Sequence, residues 1–182
     1  GHQQWRRQLM ATGLRFTLIL LIAGLLQATV LAEFRFLGVS VELLLLVTVL
    51  VAFHGGPERG AWVGLAASLI QDALTGAPFG IHALIYAPLA LAVSSLEDRT
   101  VGASPALNGL GLALVVASGS ALVSIVGLLF GQIAISFETL SERALLAGLL
   151  TALIAKPVNE FIRWSVDGVV AGEIELRNPQ NI

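Results

Sequence analysis

Hydrophobic residues occur along the chain in long runs that few polar or charged positions interrupt. A helix that crosses the hydrocarbon core of a membrane, which is about 30 Å thick, needs roughly 20 largely apolar residues. The pattern predicts six such segments, at residues 9–32, 36–54, 60–74, 81–96, 106–130 and 143–161. Within the last of these, Pro157 is expected to kink or end the helix. We therefore predict an all-α integral membrane protein whose six transmembrane helices form one bundle.

Basic residues are distributed unevenly between the predicted loops, and this bias sets the orientation of a membrane protein. With the N-terminus inside, the outer loops hold only Arg35 and Arg143. The inner regions hold the other basic residues, which are Arg6, Arg7, Arg15, Arg59, Arg99, Lys156, Arg163 and Arg177. Both termini are therefore expected to be cytoplasmic. Residues 1–8 would be a tag remnant and the N-terminus, 9–164 the transmembrane domain, and 165–182 a short cytoplasmic tail.

Composition narrows the possible functions further. Charged residues make up 12% of the chain, about half of the roughly 25% found in soluble domains, which argues against a water-soluble globule. The net charge of −2 with scattered basic residues is not the pattern of a nucleic-acid-binding surface. The sequence contains no cysteine and none of the common hydrolase, zinc-protease or phosphate-loop motifs. We expect no catalytic residue, no cofactor and no metal site.

Small residues recur at helical spacing on three of the predicted segments. Such rows let membrane helices approach one another closely. The third segment carries Gly60, Gly64 and Ser68, followed at the same spacing by Asp72; the first carries Gly24, Ala28 and Ala32; and the last carries Ala144, Gly148 and Ala152. Two interpretations remain open for each row. It either packs against another helix of the same chain or forms a seam with a partner protein.

The stretch between the third and fourth segments contains the most informative polar residues. Gly76 and Gly80 allow a tight reversal, because glycine adopts positive φ without a steric clash, and Pro78 fixes its own φ. Asp72 lies in the last turn of the incoming helix, where the helix dipole disfavours an anion. It therefore needs a partner, either the amides at the start of the next helix or His82. A functional alternative is that Asp72 is a proton or ligand contact, or binds a partner protein.

Glu42 stands near the outer start of the second segment, where an acid favours the helix N-terminus. We expect this acid to stabilise the start of that helix.

This hairpin resembles the bacterial rod shape-determining membrane protein family MreD. The family pattern of an acid, two glycines at intervals of four, and a histidine or aromatic residue matches Asp72, Gly76, Gly80 and His82, followed by Ala83 and Leu84. The resemblance implies a multi-pass protein of the bacterial inner membrane. It also implies a fold similar to the substrate-binding subunits of energy-coupling-factor transporters, with six helices around a central space.

The resemblance further implies a non-enzymatic scaffold of the cell-elongation machinery, which builds the lateral peptidoglycan wall. Such a scaffold would bind the bitopic membrane protein MreC and, indirectly, MreB, RodA and its penicillin-binding transpeptidase. Lateral small-residue faces would hold the partner's membrane helix, and the Gly76–Gly80 hairpin would support its outer segment. Leucine substitutions at Gly64 and Gly76 are expected to weaken that assembly. The alternative is a vitamin-like small-molecule binding subunit of a transporter, although the segments contain few polar groups for such a site.

Overall fold

The computed structural model describes residues 2–29, 41–76, 80–95, 105–131 and 137–177. All regular structure in this part of the chain is helical, which confirms the all-α part of the predicted fold class. The helices are α1 (His2–Ala28), α2 (Leu43–Thr75), α3 (Ala83–Ser94), α4 (Pro105–Leu129) and α5 (Phe137–Arg177). The most extensive contacts join α2 with α3 and α4 with α5, and α1 lies mainly against α2.

Helix α2 contains a sharp reversal that divides it into two antiparallel arms. Gly56 has φ 84° and ψ 177° inside the helix, and Pro57 follows it. Positive φ favours glycine at the first position, and proline suits the start of a helix because its missing N–H leaves no bond unmade. Beyond the reversal, Gly60 lies against Ala52 and Gly64 against Thr48. The two segments predicted at 36–54 and 60–74 correspond to these arms.

The first arm of α2 lies at the centre of the bundle. Every residue from 43 to 52 is buried, and Leu44, Leu45 and Leu46 are completely inaccessible. A helix that is apolar all round is typical of such a central position. The second arm of α2 and the other helices keep many large hydrophobic side chains exposed, among them Leu18, Leu69, Leu91, Leu122 and Leu149. This outward distribution of apolar side chains suits a surface that is solvated by lipid.

By length and composition, two described stretches could cross a membrane, Asn108–Leu129 and Glu138–Val166. Gly13–Ala28 and Ala83–Ser94 are shorter apolar helices. The six-span topology and its orientation therefore stay predictions. Of the residues used to predict them, Ala32, Arg35 and Arg99 lie outside the described part of the chain.

The last helix departs from the prediction at its C-terminal end. It continues through Pro157 to Arg177, so the expectation that the helix could end at Pro157 is wrong. The first part of the segment expected to be a tail, residues 165–177, is helical. Proline is tolerated inside membrane helices because neighbouring groups compensate for the backbone bond that it removes.

Candidate functional site

Asp72 joins the two sides of the α2–α3 connection. The residue is 1% exposed. One carboxylate oxygen, Oδ2, accepts a hydrogen bond from the Gly80 amide at 2.6 Å. The other, Oδ1, accepts from the His82 amide at 3.3 Å and from His82 Nδ1 at 2.5 Å. Because an ionised carboxylate only accepts hydrogen bonds, the histidine tautomer that fits this contact carries its proton on Nδ1. Both compensating partners considered from the sequence therefore contact the same carboxylate.

The two glycines of this connection have the backbone conformation that the reversal requires. Gly76 ends α2 with φ 65° and ψ 17°, in the left-handed region. Gly80 has φ 106°, a conformation that other residues rarely adopt. Pro78 lies outside the described residues. Asp72, Gly76, Gly80 and His82 are thus brought together, with the amide of Gly80 directed at the carboxylate.

Glu42 forms a second polar centre, which the sequence pattern places at a helix start. It is the N-cap residue of α2 but makes no capping hydrogen bond with its side chain. Its carboxylate instead accepts from Ser120 Oγ at 3.1 Å and from the Tyr86 hydroxyl at 3.4 Å. Its backbone amide donates to Thr151 Oγ1 at 3.1 Å. This one residue therefore links the start of α2 to α3, α4 and α5.

Gln27 links α1 to both arms of α2. Its side-chain amide donates to Gln71 Oε1 at 2.6 Å, and its Oε1 accepts from the Leu44 amide at 2.9 Å. The amides at the start of a helix have no partner within that helix, and Leu44 is one of them. Gln27 therefore satisfies the N-terminus of α2 from a neighbouring helix, the role that a capping side chain has locally.

These groups form one polar cluster that involves all five helices. His82 extends it towards Glu42, because its ring meets the Tyr86 ring edge-on at a centroid distance of 5.6 Å. Among the described residues, no buried side-chain nitrogen or oxygen lacks a hydrogen-bond partner. The polar cluster comprises Gln27, Glu42, Gln71, Asp72, His82, Tyr86, Ser120 and Thr151. Its internal bonding suits a group that holds helices together.

The small-residue rows lie largely inside the chain. A Cβ atom added to Gly60 would be 2.5 Å from Ala52 Cβ, and one added to Gly64 would be 3.0 Å from Thr48 Cγ2. Gly24 faces Ile70 of α2, and Gly148 faces Ala113 and Ala117 of α4. Ser68 is buried and donates to the Leu65 carbonyl oxygen at 2.6 Å. Ala152 is half-buried and Ala28 is exposed.

Several members of the polar cluster were not singled out by the sequence pattern. Tyr86 is the only tyrosine, and its position four residues after His82 places both on one face of α3. Gln71 precedes Asp72 in an otherwise apolar segment. The positions of Tyr86 and Gln71 could therefore have identified these two residues from the sequence. Thr151 and Ser120 carry no comparable signal, because hydroxyl residues often bond to their own helix backbone.

The chemistry that this site offers is limited. Within the described part of the chain, no group of three or more His, Cys, Asp or Glu side chains is arranged to hold a metal ion. The carboxylate oxygens of Asp72 and Glu42 already accept hydrogen bonds from within the chain. The arrangement therefore resembles an interhelical clamp more closely than an open ligand site.

Comparison with known protein families agrees with the resemblance at the hairpin. The model of the rod shape-determining protein MreD family matches residues 8–164, which include the whole polar cluster. The chain belongs to the MreD family. This MreD-family chain is accordingly a bacterial membrane protein with a role in rod shape determination. Searches of curated proteins and of solved structures found no significant match.

Proposed function

We propose that this MreD-family protein is a non-enzymatic scaffold in the inner membrane that binds MreC through its lateral helix surfaces. It would thereby help to organise MreB, RodA and the penicillin-binding transpeptidase during lateral wall synthesis. Its six segments would form one bundle, similar to the substrate-binding subunits of energy-coupling-factor transporters, with both termini in the cytoplasm. The family match over residues 8–164 carries this proposal.

The distribution of polar and apolar groups supports a lateral mode of binding. Large hydrophobic side chains are exposed on all five helices, whereas the buried polar side chains of the described residues bond internally. Membrane helices associate through packing and a few polar contacts, because lipid provides no hydrophobic drive. The surface that this bundle offers a single membrane helix of MreC is therefore the set of exposed helix faces.

The contacts of the glycines decide which positions can be used to test binding of MreC. Gly64 lies against Thr48 and the Tyr86 backbone. A leucine at this position would therefore disturb packing inside the bundle and would not report on contact with a partner protein. Gly76 has open space around it, but its positive φ makes leucine unfavourable there. Leucine substitutions at these two glycines therefore test folding. A test of MreC binding needs positions that are exposed in the bundle.

The absence of cysteine from the sequence makes site-specific crosslinking direct. Single cysteines would replace one exposed leucine on each helix, at Leu18, Leu69, Leu91, Leu122 and Leu149, and would be labelled with a benzophenone maleimide in membranes that contain MreC. We expect photocrosslinks to MreC from adjacent helices on one side of the bundle. Ala67→Cys is the buried control, since Ala67 is inaccessible and should resist labelling.

Two outcomes would contradict the proposal in different ways. If MreC fails to co-purify with the cysteine-free chain from membranes, binding to MreC is wrong. If MreC co-purifies but none of the exposed positions crosslinks to it, the lateral mode is wrong and the contact lies at the loops or termini.

A small-molecule binding subunit is the second candidate, because the bundle contains a cavity of about 630 Å³. Ligand pockets typically measure about 300–1,000 Å³. This candidate predicts that a water-soluble vitamin survives purification or raises the thermal unfolding temperature of the detergent-solubilised protein. Screening a panel of vitamins by thermal unfolding would separate it from the scaffold.

A further inference from the structure

A cavity lies at the end of the bundle that is opposite to the polar cluster. It is lined by residues of α2, α3, α4 and α5, opens to the surface of the bundle, and has a volume of about 630 Å³. Its buried lining is apolar and includes Val49, Leu50, Val93 and Ala155. Gly109 and Gly111 of α4, which are exposed, line it where it opens to the surface. The cavity therefore has an apolar interior with room for a flexible hydrocarbon group.

The exposed part of the lining is polar and positively charged. Lys156, Asn159 and Arg163 follow one another on α5 at helical spacing, so they share one face. His54 of α2 and Asn108 of α4 complete the polar part of the lining, and none of the described lining residues is acidic. His54 Nε2 and Asn159 Oδ1 are 2.6 Å apart, a bond that joins α2 to α5 at the cavity wall. The polar part thus contains the basic side chains of Lys156 and Arg163 beside hydrogen-bonding groups, and Arg163 also makes an interaction within the chain.

We propose that this cavity binds one anionic phospholipid. The phosphate would contact Lys156 and Arg163, and an acyl chain would occupy the apolar interior between α2 and α4. Basic pockets between membrane helices bind anionic lipid headgroups by this combination of charge and apolar surface. The site is distinct from the polar cluster and from the lateral binding of MreC, so it stands whether or not MreC binding is correct.

The lining favours a lipid over a water-soluble anion. A soluble anion would need several convergent polar groups around it, whereas the buried lining here is apolar. A lipid satisfies both parts of the cavity, because its phosphate is anionic and its tail is apolar. Lys156 and Arg163 are exposed and belong to the set of basic residues predicted to face the cytoplasm, where anionic lipids attract basic side chains.

Native mass spectrometry of the detergent-solubilised chain tests this proposal directly. The protein would be titrated with phosphatidylglycerol and with phosphatidylcholine. We expect one phosphatidylglycerol to bind at least about tenfold more tightly than phosphatidylcholine. Each basic residue near an anionic lipid contributes roughly a factor of five in affinity, so Lys156→Gln with Arg163→Gln should weaken phosphatidylglycerol binding by about 30-fold. Phosphatidylcholine binding should change little.

Two matched controls separate the site from general effects on charge and packing. Arg143→Gln removes one positive charge at the other end of α5 and should leave lipid binding unchanged. Gly111→Leu fills the cavity and should weaken binding of both lipids, whereas Gly13→Leu adds the same side chain to an exposed face of α1 and should not. Gly111→Leu retains both basic residues, so it remains informative if the double variant does not fold.

Three results would overturn the proposal. The first is equal phosphatidylglycerol binding by the double variant and by Arg143→Gln. The second is equal binding of the two lipids to the unmodified chain, which would exclude recognition of the anionic headgroup. The third is displacement of the lipid by inorganic phosphate at millimolar concentration, which would assign the basic residues to a soluble anion.

Discussion

Replacing single glycines with alanine measures how closely the helices approach one another. At Gly60 the added Cβ atom would lie 2.5 Å from Ala52 Cβ and 2.6 Å from Ala52 Cα. At Gly148 it would lie 2.5 Å from the Ala113 carbonyl oxygen and 2.9 Å from Ala117 Cβ. The nearest atoms include backbone, which cannot rotate away. Accommodation of alanine at either position therefore requires the two helices to move apart.

The expected magnitude follows from two opposing effects. Overpacking a well-packed core typically costs about 1–3 kcal/mol. In open space, the same substitution favours the helix, because glycine is about 0.8–1.0 kcal/mol less favourable than alanine in a helix interior. Gly13 and Gly111 have nothing within 4 Å of the added atom. All four glycines lie inside helices, so this gain cancels between them, and Gly60→Ala and Gly148→Ala should be roughly 1–3 kcal/mol less stable than Gly13→Ala and Gly111→Ala.

The assay is unfolding by sodium dodecyl sulfate in mixed micelles, followed by circular dichroism, which gives an apparent free energy of unfolding. All four variants carry the same substitution, so differences in side-chain chemistry cancel. Unfolding of the four variants at the same detergent fraction would refute the close antiparallel contact between the arms of α2 and that between α4 and α5. Destabilisation by Gly60→Ala alone would refute only the second contact.

Four further substitutions, at three positions, test the polar cluster and its turn by the same assay. Asp72→Ala removes the acceptor of three hydrogen bonds and should lower the free energy of unfolding by about 3 kcal/mol or more. Asp72→Asn keeps one oxygen and should lower it less. Equal losses of stability in the two variants would contradict these bonds. Gln27→Leu leaves the Leu44 amide without its acceptor and should cost roughly 1–3 kcal/mol; an unchanged stability would argue against this cap. Gly76→Ala forces a Cβ into the left-handed conformation and should cost about 1–2 kcal/mol, so a stabilised variant would contradict the turn geometry.

The Asp72 clamp was accessible from the sequence because it is local. His82 lies ten positions after Asp72, and the glycines between them predict a reversal that brings the two ends together. An anion at a helix C-terminus needs a compensating partner. The candidate partners of Asp72 are therefore the groups at the start of the next helix. Both candidates proved to bond to the carboxylate.

The remainder of the polar cluster depends on how the helices are arranged around the first arm of α2. Glu42 and Ser120 are 78 positions apart, and Gln27 and Gln71 are 44 apart. Hydrophobic periodicity identifies which segments are helical but not which helix lies beside which. The first arm is apolar on every side, so its sequence does not indicate which helix packs against which of its faces. The cavity beside Lys156 depends on the same arrangement and was not predicted.

Measurements of stability and of cell shape together decide whether Asp72 serves only the fold or also has a separate function. If Asp72 is only a clamp, rod shape should decline in step with the amount of folded protein across Asp72→Ala, Asp72→Asn and Gln27→Leu, because each acts by loosening the same bundle. Gln27 is the matched control, since it belongs to the cluster but carries no charge. A cell that contains normal amounts of stable Asp72→Asn protein yet becomes round would show that the carboxylate has a task beyond holding α2 to α3. Retained rod shape in that variant would assign Asp72 to the fold alone, and the exposed helix faces would then be the part of the molecule on which function depends.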